Sequence, residues 1–321
     1  MNAQIAIPSV QKRAAGRRRL QRTWRTNLTF LLFVGPLVAG LVMFTYIPIA
    51  WGFWLSIHQA RATITPQEFV GLAHYAWMLK DPAFIKSLTT FGLFTLFIVP
   101  TTYCVSLGLA LLVNNVRFAQ GFFRSVFFLP TACSYVIASL IWKMSLFNSM
   151  PYGFVNMVLY WLGLDPVVWL NIVGPPWYWV VLVTVRLWLQ SGFYMLIFLA
   201  GLQEIPRALY EAAFVDGAKP GSWATFRHIT WPLLYNVSVY IVLLNVIAAF
   251  QAFDEFWNIL RGAGTTSLVN VARTPLIYLY GVAFGDLNYG RGSAGAFILA
   301  AIIIGVTIAQ NRVMGLGKSH Y

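Results

Sequence analysis

LTFLLFVGPLVAGLVMFTYIPIAWGFWLSI, residues 28–57, is thirty residues long and contains no charged side chain. A helix rises about 1.5 Å per residue and the hydrocarbon core of a bilayer is about 30 Å thick, so roughly 20 apolar residues suffice to cross it. A basic stretch before it and Ala60-Arg61-Ala62 after it imitate a secretory signal with a small-residue cleavage site. The apolar run is too long for that, since a signal's apolar region is about 7 to 15 residues. It reads as an uncleaved transmembrane helix. Seven basic residues, Lys12, Arg13, Arg17, Arg18, Arg19, Arg22 and Arg25, precede it with no acid among them. Such a tail keeps the N-terminus in the cytoplasm.

The rest of the 321 residues agree with a membrane protein. Hydrophobic residues make up 59% and charged residues only 10%, against about 25% charged in a soluble domain. This balance excludes a soluble enzyme. The net charge of +13 is concentrated in the tail rather than on a folded basic face, which argues against duplex binding. Cys104 and Cys133 lie in apolar runs and His58, His74, His228 and His320 are scattered, so no disulfide framework or zinc spacing is present.

Five more segments qualify as spans: 87–116, 125–142, 177–203, 232–253 and 293–311. Phe154 to Leu164 is apolar, but Asp165-Pro166 stop it after 11 residues, a length that suits an interfacial helix. The expected fold is therefore all-α, a polytopic membrane protein with six transmembrane helices and both termini cytoplasmic. With that topology 14 basic residues are cytoplasmic and 7 external, and Arg186 lies inside the fourth span. The expected division is a basic tail at 1–27, the first helix at 28–57, an external loop at 58–86, a core with five spans at 87–312 and a short tail at 313–321.

One long polar stretch faces the cytoplasm in this topology, residues 204–231. Pro206 suits a first helical position and Gly217 a C-terminal cap, which predicts a helix from Pro206 to Asp216. Lys219-Pro220-Gly221 is a turn, and Ser222 caps a second helix running through Phe226 and Ile229 toward Pro232. A helical hairpin carrying the small residues Ala212 and Ala213 is either a docking surface or a solvated connector.

Glu211-Ala212-Ala213, Asp216-Gly217-Ala218, Phe226, Ile229 and Pro232 resemble the EAA loop of permease subunits in binding-protein-dependent ABC importers. Phe69-Val70-Gly71-Leu72, Asp81-Pro82, Phe123 to Pro130, Trp142, Leu199-Ala200-Gly201-Leu202, Ile205-Pro206 and Phe253-Asp254 extend the resemblance to the carbohydrate-uptake branch over about residues 28 to 312. The subunit resembled is the first of two permeases, akin to the maltose or glycerol-phosphate type. The sequence departs from that pattern in three places. Eleven residues rather than nine separate Gly217 from Ile229, Trp231 replaces a leucine, and Leu260 to Gly264 replaces a threonine- and glycine-rich stretch.

The resemblance implies a type I ABC importer permease fold in a bacterial inner membrane. It implies a second permease, two ATP-binding subunits and an extracytoplasmic solute-binding protein as partners. ATP and magnesium are then used by the ATPase, and this chain carries no cofactor, metal or catalytic residue. Glu211 is expected to pair with a basic group in the ATPase cleft. Gly315-Leu316-Gly317-Lys318-Ser319 ends like a phosphate-binding loop, but Arg312 stands where its first glycine belongs and the sequence given continues for only two residues. The reading there is a solvated tail.

Arg186 lies nine residues after Trp177, about 14 Å along the helix. At that depth it costs about 2.5 to 3.5 kcal/mol on insertion scales and needs a partner or water. Either it lines a solute path with Gln190, or it forms a salt bridge or carbonyl contact with a second permease, which supplies the acid because none in the spans of this chain is an obvious mate. Trp188, Tyr194 and Gln251 are further path candidates, as aromatic faces and amides suit sugar rings and hydroxyls. Asn245 equally suits helix-to-helix hydrogen bonding. Asp254 and Glu255 read as an external loop that meets a receptor or marks the water boundary. The remaining alternatives are an importer permease for a non-sugar solute and a gradient-driven carrier, which would want buried carboxylates or repeated halves.

Overall fold

The computed structural model describes residues 29–116, 118–170, 172–219, 221–261 and 271–314. The N-terminal tail, Pro220, Gly262 to Gly264 and the Gly315 to Ser319 motif lie outside the described residues. Those described are helical, with isolated bridges between His58 and Phe69 and between Arg61 and Asn288.

Four helices are long and apolar enough to cross a bilayer unaided: α1 (Thr29–Ser56), α3 (Pro82–Asn115), α7 (Tyr178–Glu204) and α13 (Tyr289–Met314). Between α1 and α3 lies the short α2 (Ala73–Lys80). The third and fifth expected spans are not single helices. The third consists of α4 (Gln120–Ala132) and α5 (Tyr135–Leu146), bent by 95°. Pro130 sits in a 3-10 turn that ends α4, and Ser134, in extended conformation, caps α5 through a bond from the Val136 amide. Thr131 donates to the Leu189 carbonyl of α7, which holds the break inside the bundle. A broken helix survives in a bilayer only where neighbours satisfy the freed polar groups.

The fifth span is also a bent pair, α9 (Trp223–Leu233) and α10 (Tyr235–Phe250), at 68°. Pro232 lies in the last segment of α9 rather than opening the span. The helix α6 (Phe154–Trp161) is too short to cross and exposes Tyr160 and Trp161, as an interfacial helix does. Its Asn156 is fully buried, accepts from the Val167 amide and the Trp169 indole, and donates to surrounding loop carbonyls. The chain is completed by α8 (Arg207–Val215), α11 (Asp254–Leu260) and α12 (Pro275–Gly285).

The packing centre is the pair α3 and α7. Around it one core cluster joins Phe91, Phe94, Leu182, Val185 and Phe256, and a second joins Leu107, Phe198, Leu199 and Leu234. Asp81 serves two elements: one carboxylate oxygen accepts from the Ala83 amide and caps α3, and the other accepts from the Tyr278 hydroxyl of α12. By contrast α1 buries no residue between Thr29 and Tyr46, and packs on α13 through its far end, with Phe53 edge-on to Phe297.

The backbone of α4 crosses α7 at Gly192, where a Cβ would lie 1.8 Å from the Phe127 carbonyl oxygen. The contact is backbone against backbone and leaves no rotamer to adjust. Gly192→Ala is expected to push α4 off α7 and destabilise the protein by about 1 to 3 kcal/mol, the usual overpacking cost. Thermal unfolding in detergent, with Gly305→Ala in open space as control, checks this.

Candidate coupling and transport sites

The hairpin of α8 and α9 leaves the end of α7 at Ile205. Pro206 is extended and serves as N-cap, one position earlier than expected, so Arg207–Val215 forms the helix. Gly217 follows at φ +91°, a left-handed conformation that costs glycine no steric clash. The Ala218 amide then donates to the Ala213 carbonyl, closing the helix end. The Ser222 hydroxyl accepts from the Thr225 amide at 3.4 Å at the start of α9.

These ends fix which side chains point outward. Glu211, Ala212, Asp216, Gly217 and Pro232 are exposed and Ala213 is half-buried. Phe226 and Ile229 face inward and pack on the second core cluster, and Tyr210 bonds with Thr230 across the hairpin at 3.0 Å. Trp223 stacks on Phe226 and is 71% exposed. A cavity of about 600 Å³ lies between the hairpin and the ends of α3 and α7, lined by Asn114, Asn115, Leu202, Phe214 and Trp223 among others. An exposed carboxylate thus sits on a rigid helix pair with apolar flanks.

Inside the membrane region the partner of Arg186 is within the chain. Its Nη1 is paired with Glu255 Oε1, and both side chains are 2% exposed. Its Nη2 donates to the Ala248 carbonyl at 2.5 Å, and the guanidinium lies 5.7 Å from the Phe94 ring centre. This corrects two expectations: a second permease does not supply the acid, and Glu255 does not mark the water boundary. The chain turns after α10 so that the first turn of α11 faces α7, while neighbouring Asp254 stays exposed. At the other end of α11, Lys143 Nζ donates to the Asn258 and Arg261 carbonyls at 3.1 and 2.5 Å. A cation there complements the helix C-terminus. The sequence contained one hint of Lys143, a lone lysine in an apolar helix.

The other path candidates divide by exposure. Tyr194 and Asn245 are buried, and Asn245 Nδ2 donates to the Val99 carbonyl of α3 at 3.3 Å, which is helix-to-helix bonding. Gln190 is half-buried, one turn from Arg186. Trp188 and Gln251 are exposed, and Trp188 packs on Trp142 at 5.0 Å.

Residues 103–314 match the family described as "Binding-protein-dependent transport system inner membrane component". The chain belongs to this family. The permease is 35% identical over 289 residues to a sulfoquinovosyl glycerol transport system permease of Agrobacterium fabrum, covering 90% of this chain and 91% of that one. It is 31% identical to a trehalose/maltose transport system permease of Thermococcus litoralis, with coverages of 88% and 92%. A solved bacterial ABC transporter involved in import of the acidic polysaccharide alginate has the same fold, with a TM-score of 0.79 at 21% identity, over 94% of the permease and all of that chain. The permease is thus a multi-pass membrane protein of an ABC importer family and not an enzyme.

Removing one partner of a buried ion pair costs about 3 to 5 kcal/mol, whereas replacing both by apolar groups is often neutral. Glu255→Ala is therefore expected to lower the yield and thermal stability of the permease sharply. The double variant Arg186→Met with Glu255→Leu is expected to recover most of the loss, as read by thermal unfolding in detergent.

Proposed function

We propose that this permease is the first membrane subunit of an ATP-driven importer that moves a sugar or sugar derivative into the cytoplasm of a bacterium. The observation that carries the coupling part is the hairpin: Glu211 is exposed on a helix pair braced from within by Phe226 and Ile229. In this reading a partner ATPase receives the hairpin in a cleft, and a basic group there pairs with Glu211. ATP and magnesium act in that partner. Closure of two ATPases pulls on α8 and α9, and the movement enters the bundle through α7 and α10, which the hairpin joins.

The sugar class is supported by relatives named for transport of sulfoquinovosyl glycerol, arabinooligosaccharides, trehalose/maltose and lactose. A binding protein as partner is supported by a solved alginate transporter described in complex with a periplasmic protein bound to an alginate pentasaccharide. A second permease is supported by α1, whose apolar surface from Thr29 to Tyr46 is uncovered among the described residues. In the proposed topology each bent pair counts as one span, giving six, with both termini cytoplasmic as the distribution of basic residues favours.

In this reading the solute path within this chain runs past Trp188 and Gln251, with Gln190 behind them, which the exposure of the first two supports. Arg186, Tyr194 and Asn245 hold the wall. Trp188→Ala is expected to raise the half-saturating sugar concentration for uptake several-fold while ATPase association persists, measured with radiolabelled sugar in proteoliposomes.

The coupling role is tested by purifying the tagged permease from its native membrane in mild detergent, beside Glu211→Lys. The expected result is an ATPase and a second permease with the wild type, and at least about tenfold less ATPase with the variant by quantitative mass spectrometry. A permease that emerges alone and moves solute in vesicles without ATP overturns the proposal.

A further inference from the structure

A second cavity, polar and of about 230 Å³, shares no lining residue with the hairpin or with the Arg186 pair. It is lined by Arg61, Trp77, Val282, Asp286, Asn288 and Arg291. These residues come from the chain after α1, from α2, from the end of α12 and from the first turn of α13. In the proposed topology this is the external face.

The cavity is built rather than incidental. The Ala62 amide donates to the Leu287 carbonyl at 2.7 Å and the Gly290 amide to the Ala60 carbonyl at 3.2 Å, stitching the two connecting segments together. Ala62 and Leu287 are held at φ +58° and +52°. This left-handed conformation is unfavourable for residues with a Cβ, and persists only where surroundings impose it. Asn288 is 7% exposed and its Oδ1 accepts from the Arg291 amide at 3.1 Å, which fixes the start of α13. The Arg291 guanidinium lies over the Trp77 ring at 4.1 Å, and its Nε is buried without a hydrogen-bond partner.

Among the described residues neither Arg61 nor Arg291 forms an ion pair, although Asp286 is in the same wall. The guanidiniums carry their positive charge at any physiological pH, and burial, with a lesser effect of Arg291, pushes the nearby His74 imidazole down from its usual range. Two unpaired guanidiniums on a rigid concave surface, one with an idle buried N–H, present the geometry that carboxylates satisfy.

We propose that this cavity receives an acidic side chain of the solute-binding protein when that protein docks on the external face. The inference rests on the importer reading and adds to it a contact point with stated chemistry. The docking protein presents an Asp or Glu carboxylate to Arg61 and Arg291, with the Trp77 ring as the apolar wall. Arg61 is exposed and meets the incoming carboxylate first; Arg291 is braced by Trp77.

The test uses the assembled importer in nanodiscs with its cognate binding protein, and follows ATPase rate against binding-protein concentration at low and high salt. Arg61→Glu is the primary variant, because its side chain is exposed and its loss removes no packing. Arg291→Gln is the second. The expected result is a rise of about tenfold or more in half-saturating binding-protein concentration for Arg61→Glu, with a weaker salt dependence than wild type. Partial recovery by an Asp→Lys or Glu→Lys change on the binding protein supports the contact. Coincident curves for wild type and both variants overturn this inference alone. Loss of a bound anionic phospholipid by native mass spectrometry, with unchanged curves, also overturns it and assigns the cavity to a lipid phosphate. A wild-type importer that no binding protein stimulates overturns the importer reading, and this inference with it.

Discussion

A guanidinium within the membrane-spanning helices tolerates few arrangements, and much of this fold follows from the one adopted for Arg186. Its charge is compensated by Glu255, 69 residues later, and by the Ala248 carbonyl. For Glu255 to arrive there, the chain must turn after α10 and lay α11 against α7. Lys143 then grips the far end of α11, which ties α5 to the same place. One buried pair thus specifies the relation among four helices. Its contribution lies in specificity as much as in stability, since desolvating two charges offsets much of their attraction.

Breaks in the helices follow the same logic of satisfaction. The 95° bend between α4 and α5 falls where Pro130 removes a donor, and Ser134 and Thr131 supply local bonds. The loop between α5 and α7 is irregular, yet Asn156 gathers its amides and carbonyls around one buried amide side chain. In both places side chains complete the hydrogen bonding of the irregular backbone. The hairpin differs, because its helix ends are closed locally, by Gly217 after α8 and by Ser222 before α9. Those local closures hold the hairpin in shape while Glu211 stays exposed.

The parts legible in the sequence were those with local causes. Residues 28–57 could only be a membrane helix, whatever surrounds them. The hairpin was readable because a proline, a glycine in left-handed conformation and a capping serine act on their immediate neighbours. The shortness of the helix within Phe154 to Leu164 was legible in Asp165-Pro166, which stop it. In contrast, Glu255 sits beside exposed Asp254 after an apolar span, which is the usual appearance of a water boundary. Nothing local distinguishes the two carboxylates, and only the direction in which α11 turns buries one of them. The bends escaped notice for a related reason: hydropathy counts residues and does not sense the axis they follow.

Composition and helix-terminal chemistry therefore determined by themselves that this chain is a helical membrane protein with one ordered polar hairpin. Those properties come from interactions within a few residues, or between each residue and the bilayer as solvent. The tertiary structure alone decided which acid neutralises Arg186, which candidate path residues remain exposed, and how Arg61 and Arg291 come to share a cavity. Each of these depends on contacts between residues distant in the chain, 69 apart for Arg186 and Glu255 and 46 for Trp142 and Trp188, set by the packing of α3 and α7 and by hydrogen bonds that carry no local signature.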